Sequence, residues 1–244
     1  MKRPAQTLLL TLTGIGLLHV ALFTDTYLRY VKPGLRPLLI ASGVILLLLG
    51  LAGAAARDRH HPSGDPGHEH GHDHTGTPRV AWLLFLPALS LLLYAPPALG
   101  AYTAARANSK PVAVQKGFAP LPATSPLPLT LTDFTRRVQQ DRSRAVGHRT
   151  VRLTGFVTPA GEDGGWYLTR IIFTCCAADS QTVKVRMYGT EAPPADTWLA
   201  VTGTWHPRGS LGTRTAEAAL DVRDATPIAQ PVNAYTDDLP LTPS

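Results

Sequence analysis

Three long apolar runs and one stretch of alternating residues divide this chain. Leu8 to Phe23, Pro37 to Ala56 and Val80 to Leu99 are each near the roughly 20 residues needed to cross a hydrocarbon core. Uncharged runs of this length seldom occur inside soluble proteins, so they predict three transmembrane helices. The first run follows Met1-Lys2-Arg3, as in a signal peptide, but Thr24-Asp25-Thr26-Tyr27 offers no small-residue cleavage site after it.

Past Arg149 the period changes to two. Val151, Leu153, Gly155 and Val157 alternate with Arg152, Thr154 and Phe156, and a turn follows from Pro159 to Gly165. Trp166 to Cys175 reads as a second strand and Val183 to Tyr188 as a third. Leu199 to Trp205 and Thr213 to Val222 read as a fourth and fifth. Five short strands with a glycine in the first predict an OB-like five-stranded barrel. A short helix precedes it: Thr132 suits its cap, Asp133 its first turn, and Leu131, Phe134 and Val138 have helical spacing. The expected fold class is therefore a membrane α-helical N-terminal part plus an all-β C-terminal domain. The expected divisions are a transmembrane region over 1–100 with a His-rich loop over 57–79, a Pro-rich linker over 101–128, the β domain over 129–225, and a flexible tail over 226–244.

Charge narrows the function. The whole chain is +6, and residues 101–244 carry fifteen Lys and Arg against twelve Asp and Glu, a net of +3. That is too mild to argue for nucleic-acid binding. Arg136, Arg137, Arg142, Arg144, Arg149 and Arg152 cluster before and into the first strand. They form either a solvated surface or a patch for anionic lipid or an acidic partner. Positive-inside counting is nearly level: five basic residues in the N-terminus and second loop, six in the first loop and the segment after the third span. The short basic N-terminus tilts it inside, which puts the C-terminal domain outside.

Two groups of residues carry candidate chemistry. Cys175 and Cys176 are the only cysteines, too few for a disulfide framework. With Asp179 they can hold a borderline or soft metal, form a redox pair, or simply pack. On an extended strand they would point to opposite faces, which disfavours a strained vicinal disulfide. His60, His61, His68, His70, His72 and His74 lie in a loop whose Gly and Pro residues forbid a regular element. Such tracts bind metal ions or serve as solvated linkers. Zinc is the default ion, since imidazole and thiolate both suit it. His19, inside the first apolar run, is a functional candidate because ionisable groups there are rare. His148 and His206 flank the first and fourth strands and come near the cysteines only if the barrel closes.

The layout of two spans, His-rich loop, third span ending Pro96-Pro97-Ala98-Leu99-Gly100-Ala101-Tyr102, then Val151-Arg152-Leu153-Thr154-Gly155 and Phe173-Thr174-Cys175-Cys176-Ala177-Ala178-Asp179 resembles the YcgQ-like family of bacterial membrane proteins. The resemblance runs from Leu8 to Val222, and the Cys-Cys-Ala-Ala-Asp segment is its most specific element. It implies an inner-membrane, multi-pass protein that partners a separate polytopic permease subunit. Combined with the candidate ligands, it gives the expectation of an accessory permease subunit handling a transition metal such as zinc. The alternative is a membrane-tethered binding module whose cysteines are structural. A thiol enzyme would need a base beside the cysteine, and no motif spacing supplies one.

Overall fold

The computed structural model describes residues 3–58, 99–107, 111–161 and 165–241. They belong to two compact units. In the first, α1 (Arg3–Phe23) and α2 (Arg36–Asp58) are both long and apolar enough to cross a membrane. The third expected span, Val80 to Leu99, falls outside the described residues except for Leu99. So does the whole histidine tract from His60 to His74.

Small residues let α1 and α2 approach. A Cβ on Gly14 would lie 2.8 Å from the Leu47 nitrogen and 2.9 Å from the Gly43 oxygen, and one on Gly43 would lie 2.8 Å from the Leu18 side chain. Close backbone approach through glycine is a familiar route to association in lipid, where apolar burial gives no drive. Arg36 opens α2 and donates from Nε to the Ala21 carbonyl at 2.9 Å, satisfying an acceptor at the end of α1. Leu8, Leu12, Ile15, Leu38, Ile45 and Leu48 remain largely exposed, an apolar coat of the kind a bilayer covers.

The second unit is built on a six-stranded mixed sheet: β1 (Leu127–Pro128), β2 (Val151–Pro159), β3 (Trp166–Ile172), β4 (Gln181–Tyr188), β5 (Trp198–Trp205) and β6 (Ala219–Pro227). The order is β1-β2-β3-β4-β6-β5, and β5 also pairs with β2. β1 with β2 and β4 with β6 are parallel, and the other pairs are antiparallel. The alternation read from the sequence is the physical basis: Trp166 and Leu168 on β3 and Val183, Val185 and Met187 on β4 are buried in one core. Gly155 is needed where β2 turns from β5 toward β3, because a Cβ there would lie 2.6 Å from the Thr169 carbonyl oxygen. Gly203 sits at an irregularity in the β5–β6 register, where a Cβ would strike the Asp221 carbonyl oxygen.

Several expectations are corrected. The sheet has six strands, because two residues assigned to the linker add β1 beside β2. The second strand ends at Ile172, not Cys175, and the fifth starts at Ala219. The short helix, α4 (Leu131–Gln140), is capped by Thr130, whose hydroxyl accepts from the Asp133 N–H at 3.1 Å. Thr132 is buried instead. The linker contains α3 (Ala101–Arg106), packed with Phe156, Ile171 and Phe173 in a second apolar cluster.

Nor is the tail uniformly loose. Tyr235 stacks on Phe173 with centroids 4.7 Å apart, and the Phe173 N–H donates to the Tyr235 carbonyl. Arg170 is buried and donates to the carbonyls of Asn233 and Thr236 at 3.0 and 2.9 Å. Burial pulls its pKa down to about 10, with Asp237 and Asp238 acting the other way. In the arginine cluster, Arg137 is likewise buried, between Asp133 at 3.2 Å and Asp141 at 3.6 Å. Arg149 holds the Pro122 and Thr124 carbonyls.

Helix α4 seats Leu131, Phe134 and Val138 in the sheet core, and Phe134 is fully buried. Phe134→Ala should therefore destabilise the β domain by about 3–5 kcal/mol. The check is a lowered denaturant midpoint of tryptophan fluorescence in the full chain in detergent. An unchanged midpoint would show that α4 does not anchor the core.

Candidate functional site

The candidate site forms where β3 leaves the sheet. Phe173 turns into the second apolar cluster, and the chain reverses through a 3-10 turn at Ala177–Asp179 before β4 begins at Gln181. Cys176 is the cap of that turn. The Asp179 carboxylate accepts the backbone N–H of Thr174 at 2.9 Å, Cys175 at 2.8 Å and Cys176 at 3.4 Å. Both of its oxygens are engaged. Its role is that of a capping carboxylate, which closes the loop on itself.

A second constraint comes from far back in the chain. Val31 makes an isolated antiparallel bridge with Cys176. The Lys32 N–H donates to the Cys175 carbonyl at 3.0 Å, and the Ala177 N–H donates to the Tyr30 carbonyl at 2.7 Å. In the sequence, Tyr30 to Lys32 lie between α1 and α2. The cysteine segment is thus fixed on both sides by backbone hydrogen bonds.

The chain bends at Thr174 and Cys175, just before the turn, so the opposite-face geometry of a regular strand does not apply. The two Sγ atoms are 3.7 Å apart, and both cysteines are free. Cys175 is exposed and Cys176 half-buried. The Asp179 carboxylate beside it, and secondarily the Cys176 side chain, push the Cys175 thiol up to about 11. In turn the Cys175 thiol, helped by the backbone N–H groups, holds the Asp179 carboxyl below the usual carboxylate range.

The other sequence candidates are not brought here. His206 pairs through Nδ1 with Asp221 at 2.7 Å and stacks on Tyr188 with centroids 4.0 Å apart. Tyr188 ends β4, whereas the cysteines lie in the connection from β3 to the start of β4. His148 is exposed in the loop before β2. His19 lies on α1 with its ring 5.8 Å from that of Phe23. Among the described residues, no three His, Cys, Asp or Glu side chains gather as a metal cluster. The six histidines of the tract lie outside those residues.

Sequence reasoning missed two features. One is the role of Asp179 as a cap, although the Cys176-x-x-Asp179 spacing is that of a capping box. The other is a run of cations and rings on one sheet face. Lys184 and Arg186 lie 6.0 and 5.5 Å from the Tyr167 ring centroid, and Arg186 lies 5.6 Å from that of Tyr188. Arg208 donates to the Tyr188 hydroxyl at 3.1 Å. Beside this run is a cleft of about 780 Å³ lined by Tyr167, Lys184, Arg214, Glu217 and the α4 residues Gln139 and Gln140. The period-two placement of Tyr167, Lys184, Arg186 and Tyr188 was the available signal.

These features define a chain with two membrane-length helices and a β domain that carries a pair of free thiols, one exposed and one half-buried. Residues 133–236 match the family model described as the DUF1980 C-terminal domain, a stretch that contains Cys175, Cys176, Asp179 and Tyr235. The match supports an uncharacterised family, and its description names no activity, ligand or partner. No curated protein and no solved structure matches the chain.

Thiol reactivity reports the Cys175–Asp179 contact. A raised thiol pKa means little thiolate at pH 8, and thiolate is the reactive form. Asp179→Asn removes the charge that raises it. Iodoacetamide should then alkylate Cys175 at pH 8 at least about tenfold faster, with the pH–rate profile moved to lower pH. Equal profiles would show that the carboxylate does not govern the thiol.

Proposed function

We propose that this chain is a membrane-anchored accessory subunit of a two-component permease that handles a transition metal such as zinc, with Cys175 and Cys176 as its metal-binding groups. The observation that carries this reading is the thiol geometry. Two sulfurs 3.7 Å apart, each about 2.3 Å from one ion, subtend about 107° at it, close to the tetrahedral angle that zinc adopts with thiolates. The turn is already closed by Asp179 and by residues 30–32. Little chain ordering is therefore left for the ion to bring about.

The resemblance to YcgQ-like proteins supports a bacterial inner membrane and a polytopic permease partner. The strand order, with β5 returning to β2, supports an OB-type barrel in the C-terminal domain. The bonds from Tyr30 and Lys32 to the cysteine segment support three crossings. On this reading the connection between α1 and α2 lies on the same side of the bilayer as the β domain. A chain that crosses at α1 and returns at α2 has to cross once more before Ala101 to reach that side. Val80 to Leu99 is the stretch long enough to do so. In this topology His60–His74 and the thiols face opposite sides, as suits passage of the ion through a partner.

One observation favours the second reading, a tethered binding module with structural cysteines. The run of Lys184, Arg186 and Arg208 with Tyr167 and Tyr188 beside a cleft suits an anionic ligand. Binding of such a ligand would survive loss of both thiols.

The test uses the reduced full chain in detergent with the six tract histidines replaced by alanine, so that the tract can contribute no imidazole ligands. It should retain about one zinc per chain by elemental analysis. Adding Cys175→Ser and Cys176→Ser should abolish it. A reduced chain with intact cysteines that stays empty of metal would sink the reading.

A further inference from the structure

We infer that Cys175 and Cys176 form an open two-sulfur site for a thiophilic d10 cation, with the remaining coordination positions filled by a donor from another molecule. The pair is thus built for handing an ion over, not for storing it. This rests on the metal role proposed for the same two residues.

The first argument is the ligand count. A closed zinc site needs four protein donors, and an exchanging or catalytic one leaves a position open. Here the sulfurs supply two. Asp179 is the nearest carboxylate by sequence, and both of its oxygens already accept backbone N–H groups. An ion at Asp179 would compete with the N–H groups of Thr174, Cys175 and Cys176 for the carboxylate that closes the turn holding the sulfurs. His206 is engaged with Asp221 and stacked on Tyr188 at the far end of β4. Among the described residues nothing else gathers to complete the set.

The second argument is the sulfur separation. A two-coordinate linear ion would hold its sulfurs about 4.6 Å apart, twice the metal–sulfur distance. The observed 3.7 Å is too short for that. It fits a three- or four-coordinate ion, which this pair alone leaves unsaturated. The third is access. Cys175 is exposed and Cys176 half-buried, so an incoming ligand can reach the metal without moving the loop. Binding is balanced simply: each thiol releases its proton to solvent and gives a sulfur lone pair to the ion, and nothing is oxidised or reduced.

Zinc K-edge absorption on the reduced full chain loaded with one equivalent of zinc tests this. The expected first shell is about two sulfurs at about 2.3 Å with the rest oxygen or nitrogen. It should be unchanged when the six tract histidines are alanine. Adding excess 2-mercaptoethanol should raise the sulfur count toward four while zinc still elutes with the chain. A sulfur count that stays at two under excess thiol overturns the inference, as does a shell whose light donors vanish in the histidine variant. Either result leaves the metal-handling role standing. Failure of the wild-type chain to hold zinc at the cysteines ends both.

Discussion

When β3 leaves the ladder after Ile172, a run of backbone groups loses its sheet partners, and buried or half-buried polar groups must find others. One carboxylate meets most of that need: Asp179 takes the N–H of three successive residues. The Tyr235 carbonyl takes the N–H of Phe173, and the Lys32 N–H meets the Cys175 carbonyl. The thiol pair is a consequence of this arrangement. Cys175 and Cys176 are adjacent in any conformation, but a strand would separate their sulfurs. The turn that Asp179 closes sets them 3.7 Å apart.

The same demand explains how remote parts of the second unit are tied down. Arg170 is buried near the end of β3, and a buried guanidinium must find acceptors. The carbonyls of Asn233 and Thr236 meet it, which brings the chain end across Phe173. Arg137 does the same for α4 through Asp133 and Asp141. Two residues of an apparently solvated basic cluster or strand are therefore internal fasteners. Lys184, Arg186 and Arg208 gather instead around Tyr167 and Tyr188.

What could be read in the sequence was what local periodicity encodes. The first two apolar runs correspond to α1 and α2, and alternation marks β2 to β5 and the core residues Leu153, Leu168, Val185 and Val201. Strand ends were less legible, because Phe173 is as apolar as Ile171 yet packs with Tyr235 outside the sheet. The helix cap moved from Thr132 to Thr130, two threonines that differ only in how the chain enters the helix. The site was half legible. Its thiols were conspicuous, but Asp179 looked like a ligand because a carboxylate beside cysteines has the same composition whether it binds a metal or caps a turn. The partner segment at Tyr30 to Lys32 is some 145 residues away in the chain, beyond the reach of any local pattern.

The pairing of that remote segment with the cysteine turn has a consequence for how an accessory domain would work. A domain joined to its membrane part only by a flexible tether samples a wide volume, and a metal site on it would meet a partner by chance. Here the turn that carries Cys175 and Cys176 hydrogen-bonds directly to the chain between α1 and α2. On the proposed function, an ion held by the two sulfurs is offered to a permease partner at this turn. Two donors with open positions suit that location better than four: a saturated site would have to dissociate its ion before transfer, whereas an unsaturated one can accept the next ligand first.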